Sequence, residues 1–216
     1  MELIIKNIPC QFSNADSVSG LLDKFGINWN DIGYQNWSND YPYKPKAKFR
    51  IAHTANQIVL QYDIEEDNIR ALVTQDNDAV WEDSCCEFFI APEADGIYYN
   101  IECNCIGALL IGVGKDRKNR EFVPKEHLEK VMRWMSLERQ TIPLKKGKFH
   151  WQIALVIPFQ TFFMHNNDSM IGRKVLCNFY KCGDKLSKPH FLSWSPVKSP
   201  TPDFHQINSF VSCIIC

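Results

Sequence analysis

The residues with the most chemical capacity lie between positions 80 and 105. Val80-Trp-Glu-Asp-Ser-Cys-Cys-Glu-Phe-Phe-Ile90 places a large ring, carboxylates and thiols in one short run. Read as a strand entered from a loop, Cys86, Phe88 and Ile90 face one side and Cys85, Glu87 and Phe89 the other. Glu87 is then a carboxylate in mid-strand among hydrophobes, which needs either a Lys or Arg partner or a polar ligand; the pattern leaves both open. Trp81 precedes the strand, after Asp76-Asn-Asp78, where nothing demands its burial. Tyr98-Tyr-Asn-Ile-Glu-Cys-Asn-Cys105 alternates more sharply, with Tyr98, Asn100, Glu102 and Asn104 on one face and Tyr99, Ile101, Cys103 and Cys105 on the other. An aromatic, two amides and a carboxylate on one face suit hydrogen bonding to sugar hydroxyls; an ordinary solvated sheet face is the plainer alternative.

Glu82, Asp83, Glu87 and Glu102 raise the question of a catalytic carboxylate pair. A glycosidase needs two carboxyl groups roughly 5 to 10 Å apart in opposed protonation states, which Glu87 and Glu102 could meet only on neighbouring strands. Other nucleophilic arrangements are weaker: there is no G-x-S-x-G elbow, the six histidines are dispersed, and Gly112-Val-Gly114 lacks the third glycine of a dinucleotide loop. Asp63, Glu65, Glu66, Asp67, Asp76 and Asp78 supply hard oxygen atoms around two turns. Their spacing is not that of an EF-hand, so they read equally as solvated turn acids or as a structural calcium site. No cofactor is required by any of these patterns. The nine cysteines include no paired C-x-x-C knuckles, only the lone Cys213-Ile-Ile-Cys216, so tetrahedral structural zinc is not expected. Most sit in strand-like runs and read as reduced, buried core thiols.

The elements that must position these residues are mostly short strands. Phe49 to His53 and Ile58 to Ile64 alternate with a turn at Ala55-Asn-Gln57, a hairpin signature. Further strand-like runs are 69–74, 85–91, 97–105, 108–113, 149–157, 175–181 and 209–215, separated by turns at 92–96, 112–119 and 145–148. So many closely spaced strands predict an antiparallel β-sandwich, jelly-roll-like, rather than a parallel alternating fold. Helix is expected only in a short segment capped by Asp16 and ending at Gly26, over Lys125 to Leu137 after Pro124, and as a turn at 158–165. Residues 1–45 read as an N-terminal extension, whose aromatic stretch from Trp29 to Tyr43 wraps the domain as an ordered loop. No internal boundary appears, so 1–216 is read as one domain.

Charge and hydropathy narrow the partners. In 216 residues, 24 Lys+Arg balance 25 Asp+Glu for a net charge of −1, and 45% of residues are hydrophobic. That excludes disorder and argues against nucleic acid or anionic lipid held by bulk charge. No apolar run is long enough to span a bilayer, and the N-terminus carries no signal-peptide pattern. Cysteine usage points to a reducing cytoplasm.

Trp81-Glu-Asp-Ser-Cys-Cys-Glu87-Phe-Phe-Ile, with Lys48-Phe-Arg-Ile-Ala-His53, Tyr98-Tyr-Asn-Ile-Glu-Cys-Asn104, Trp194-Ser195 and Pro202-Asp-Phe-His205, resembles the family 9 carbohydrate-binding modules, closest to stand-alone family 9-like proteins, over about residues 40–215. The resemblance implies a β-sandwich that holds a sugar between two aromatic rings in a shallow slot. Trp81 matches the ring before the acidic strand and Glu87 the hydroxyl-binding glutamate. Phe204, beside His205, takes the place of the usual second tryptophan. Asn100, Glu102 and Asn104 lie where further hydrogen-bonding groups are placed. Such modules accompany xylanases and related enzymes, bind terminal units of glucans and xylans, and carry structural calcium. The resemblance therefore implies non-catalytic binding of a mono- or oligosaccharide in plant polysaccharide catabolism, and pulls localisation toward the periplasm or exterior. The alternatives are a small glycoside hydrolase using Glu87 and Glu102, and an interaction domain that meets a protein partner through Trp37 and Tyr41.

Overall fold

A computed structural model describes residues 2–165 and 169–216. These form fourteen strands: β1 (Glu2–Asn7), β2 (Asn30–Asp31), β3 (Tyr34–Gln35), β4 (Lys46–His53), β5 (Gln57–Ala71), β6 (Cys85–Ala91), β7 (Tyr98–Asn104), β8 (Leu109–Gly114), β9 (Arg120–Phe122), β10 (Met132–Met135), β11 (Ile142–Pro158), β12 (Lys174–Cys182), β13 (Phe191–Ser193) and β14 (Val211–Ile215). Two short helices, α1 (Val18–Lys24) and α2 (Lys125–Leu128), and single 3₁₀ turns complete it. One sheet runs β10-β11-β5-β4-β1, the other β1-β14-β12-β6-β7-β8-β9, with β13 and β3 added beside β12. The mainly β sandwich expected from the strand spacing is therefore what forms.

The alternation of β6 and β7 decides the layering. Cys86, Phe88, Ile90, Tyr99, Ile101 and Cys103 enter the core between the sheets, against Phe49, Leu60, Tyr62, Ile153 and Phe179. The opposite face of β6 and β7 is also buried. Trp37, Phe204 and Phe210, from the aromatic loop and the C-terminal segment, cover Cys85, Phe89 and Tyr98 there. On the outside of the other sheet, α1 packs Val18 and Leu22 onto Ala52, Val59 and Val156. Buried Arg50 ties that helix down through Asp23 and Ser19.

Several sequence expectations need correction. Residues 1–45, read as an N-terminal extension, include β1, which lies between the two sheets' other strands rather than outside them. Glu2–Ile5 pair in parallel with β14, and Lys6–Asn7 in parallel with β4. Neither neighbour is joined to β1 by a hairpin, so nothing forces antiparallel pairing. The helix expected over Lys125–Leu137 stops at Leu128, and Met132–Met135 pair with β11 instead. There, Met132 and Trp134 face the α1 side while Met135 faces the core. The open backbone edge of β11 outcompetes a short helix, because it satisfies peptide groups and buries both faces. The expected separate strand at 69–74 continues β5, and the expected turn at 145–148 lies inside β11 between two register shifts. The first helix is entered at Ser17, not Asp16, and is closed by Gly26 at φ +61°, a backbone state that glycine adopts without steric cost.

The cysteines are not all reduced. Cys177 on β12 and Cys213 on β14 form a disulfide across 36 residues, because strand pairing brings them together. The other seven are free, and all but Cys10 and Cys216 are buried.

Candidate functional site

A cavity of about 330 Å³ opens on the outer face of the β6–β7–β8 sheet, within the size range of small-ligand pockets. Its floor follows from register. Glu87 on β6 pairs directly with Glu102 on β7, and Asn100 pairs with Gly112 on β8, so all their side chains rise from one face. Gly112 is required there: a Cβ would stand 2.6 Å from Asn100 Oδ1 and 3.2 Å from Arg120 Nε. Its missing side chain is the space in which Asn100 and Arg120 meet.

Trp81 stands at the rim, 38% exposed, on the 3₁₀ turn Val80–Glu82. Val80, fully buried, anchors that turn, and the Asp184 amide donates to the Trp81 carbonyl. Asp83 fixes the loop from below. Its buried carboxylate accepts from Arg70 Nη1 at 2.6 Å, from the Leu72 and Val73 amides and from Asn104 Nδ2.

The floor is a set of carboxyls pushed toward their neutral forms. Burial, and next the Glu102 charge across the strand pair, hold Glu87 well above the usual carboxylate range. Burial takes Glu102 to about 7, against a hydrogen bond from Asn100 Nδ2 at 2.6 Å. Asp184, also lining the cavity, is raised by burial to about 6. Glu87 Oε1 accepts from the Cys182 thiol at 2.9 Å. On the opposite wall, Arg120 binds the Asn100 carbonyl, lies 4.6 Å over the Tyr98 ring and receives support from the Asp116 backbone. Two buried polar atoms in this cavity, Glu102 Oε2 and Arg120 Nε, have no hydrogen-bond partner. An acceptor and a donor left bare in a concave site are what a polyhydroxylated ligand would satisfy.

The anticipated residues divide. Trp81, Glu87, Asn100, Glu102, Phe204 and His205 all line the cavity. Phe204 is only 8% exposed and stacks on Tyr180 at 4.2 Å, so it is wall rather than open platform. His205 bonds to the Tyr98 hydroxyl through Nδ1 at 2.9 Å, and burial lowers its pKa to about 4, keeping the ring neutral. Asn104 does not belong to the cavity: its amide is fully buried, donating to Asp83 and the Val73 carbonyl and accepting from the Ile106 and Ala108 amides. It sits where β7 turns into β8, and the turn consumes its polar groups.

Sequence reading missed Arg117, Lys118, Arg120, Phe122, Cys182 and Asp184, all of which line the cavity. Phe122 is the most exposed ring in it, at 57%. The available signal was Gly112 and Gly114, two glycines at alternate positions of an apolar strand, which clear one face for their neighbours.

Of the six acids considered for calcium, five stand beside cationic side chains, and the sixth, Asp78, accepts from the Ala79 amide. Asp76 is held by both Nη atoms of Arg133, Glu65 pairs with Lys46, and Asp67 with Lys188. Asp63 lies beside Lys48 and His150, and Glu66 is engaged by Lys181 and Trp151. In the aromatic loop, Trp37 is buried, donates to the Ser199 carbonyl and packs on Phe191 and Phe204. Trp37 therefore presents no ring to a protein partner, whereas Tyr34 in the same loop is 45% exposed and Tyr41 is half-buried. Among the described residues, no helix is long and apolar enough to cross a membrane.

Comparison with known proteins agrees with this architecture. The family model described as carbohydrate-binding family 9 matches residues 16–214. The chain is similar to a Bacteroides uniformis ATCC 8492 protein, named as a candidate carbohydrate-binding protein, at 44% identity and a TM-score of 0.94, over 98% of this chain and 97% of that one. It shares its fold with a Caldicellulosiruptor kristjanssonii family 9 module solved with glucose: 9% identity, TM-score 0.62, 99% and 95% coverage. The same holds for that organism's module with cellotriose, at 8% identity and TM-score 0.62, with 99% and 93% coverage. A search of curated proteins finds no significant match. A family model spanning nearly the whole chain, on a sandwich of the same architecture, establishes that the chain belongs to carbohydrate-binding family 9.

Proposed function

We propose that this cavity binds a terminal sugar unit of a glucan or xylan chain without cleaving it, in the service of polysaccharide catabolism. The observation that carries the reading is the pairing of an exposed ring, Trp81, with two bare buried polar atoms, Glu102 Oε2 and Arg120 Nε, in one cavity. A pyranose has apolar C–H faces and a polar rim; Trp81 and Phe122 supply apolar contact, while Glu102, Asn100, Arg120 and Glu87 meet the rim. Phe204 shapes the wall, and the Tyr98 hydroxyl holds the His205 ring. A near-neutral chain suits an uncharged ligand, and affinity is modest because hydroxyl desolvation offsets much of the contact energy. The Cys177–Cys213 disulfide supports a periplasmic or extracellular location over the cytoplasm.

Calorimetric titration with glucose, cello-oligosaccharides and xylo-oligosaccharides tests the reading; absence of binding across the panel refutes it. The hydrolase alternative rests on the Glu87–Glu102 pair. Both carboxyls rise side by side from one floor and both are pushed toward the neutral form, whereas cleavage needs one ionised and the two flanking the bond. Release of reducing sugar that Glu87→Gln abolishes would restore it.

A further inference from the structure

The hydrogen-bond partner of Glu87 is a thiol, and a second thiol stands beside it. Cys85 and Glu87, two residues apart on β6, share a face, and Cys182 on β12 is the register partner of Cys85. Both sulfur atoms and a Glu87 oxygen therefore lie within 4.8 Å of one another, the only such group of three His, Cys, Asp or Glu side chains among the described residues. All three side chains are buried.

We propose that Cys85, Glu87 and Cys182 form a binding site for one thiophilic divalent cation, Zn²⁺ being the ion that best suits two thiolates and a carboxylate. Zinc takes sulfur at about 2.3 Å and carboxylate oxygen at about 2.0–2.2 Å in a tetrahedron, so its donors stand roughly 3.5–4 Å apart. The observed group, within 4.8 Å, stands within about an ångström of that spacing. Calcium and magnesium are disfavoured, because two of the three donors are sulfur. Three protein donors leave a fourth position. Glu87 and Cys182 line the cavity while Cys85 lies behind them, so the open position faces the cavity, which is also the entry path. Glu102, in register with Glu87, carries a buried oxygen with no partner on the same floor. Binding exchanges the two thiol protons, and any proton on Glu87, for the ion, so the site carries three negative charges against two positive. Arg117 and Lys181 act on this cluster with positive charge, against the negative charges of Glu102 and Asp184.

The test uses the full chain, anaerobic and stripped with a chelator, in the absence of sugar, so that its outcome is independent of the sugar reading. A Cys10→Ser/Cys216→Ser background removes the two thiols that reach the surface. Equilibrium dialysis against Zn²⁺ is expected to give one ion per chain in that background, weakened at least about tenfold by Cys182→Ser or Cys85→Ser. Co²⁺ is expected to produce a sulfur-to-metal charge-transfer band that both variants lose. As a readout that does not rely on variants folding, Zn²⁺ should protect Cys85 and Cys182 from alkylation, and leave core Cys103 unchanged, in a peptide map of the unmutated chain. The proposal is overturned by absence of bound zinc, by equal binding in the Cys182→Ser variant, or by recovery of Cys85 and Cys182 as a disulfide that excludes the ion.

Discussion

Replacing Trp81 by alanine separates binding from folding, because the ring is open while the turn beneath it is held by other groups. The ring is 38% exposed, which on a tryptophan burying up to roughly 250 Å² leaves about 95 Å² open. A sugar covering between half and all of that area gains about 1–2.4 kcal/mol at roughly 25 cal/mol per Å². Trp81→Ala should therefore weaken affinity about 5- to 50-fold. The turn that carries it is held by buried Val80, by the Asp83 network and by backbone bonds, none of which uses the indole, so thermal stability should change little. Calorimetry with the best-binding oligosaccharide, paired with a thermal melt of each protein, reads both quantities. Undiminished affinity would refute the assignment of Trp81 as a platform. A large drop in melting temperature would instead show that the ring supports the fold and that its exposure had been misread.

Phe204→Ala should behave in the opposite way, losing about 3–4 kcal/mol of stability because the ring is buried against Tyr180 and Trp37; chemical denaturation measures it. Asn104→Ala should cost about 2–3 kcal/mol in the same assay, since it strips partners from buried amides and from Asp83, with sugar affinity reduced only through that loss. Glu102 has a folded pKa of about 7 against its ordinary 4.5, so the fold prefers its protonated form; stability is full below about 4.5 and falls as pH rises through 7. Glu102→Gln should thus be more stable than the parent by roughly 1–3 kcal/mol at pH 8, with the difference vanishing near pH 4, in melts across that range. Such melts subtract the opposing contribution of His205, whose depressed pKa removes stability as pH falls from 6.5 toward 4. Cys213→Ser opens a loop of 36 residues and should lower stability by about 4 kcal/mol in denaturant titration under non-reducing conditions.

The legible part of the fold was whatever repeats locally. Period-two alternation in β4, β6 and β7 gave the strands and the shared face of Asn100 and Glu102, because side chains in an extended chain must alternate; that the second face of β6 and β7 is also buried came only with the segments that cover it. The helix over Lys125–Leu137 failed for the same reason in reverse. Met132 and Met135 satisfy both a helical spacing and a strand that splits its faces between two cores, and only the vacant edge of β11 chooses between them.

By itself the sequence determined a sandwich, a ring in a loop ahead of an acidic strand, and a polar face on the following strand. Tertiary structure decided everything that depends on pairs distant in the chain. It set Glu87 against Glu102, consumed Asn104 in a turn, buried Phe204 under Tyr180 and brought Arg120 and Phe122 to the cavity. It also joined Cys177 to Cys213 and set Cys182 beside Glu87 across 95 residues. Spacing rules for cysteine see only neighbours along the chain. A donor set assembled across two strands is fixed by register, and register is settled by which faces can be buried together.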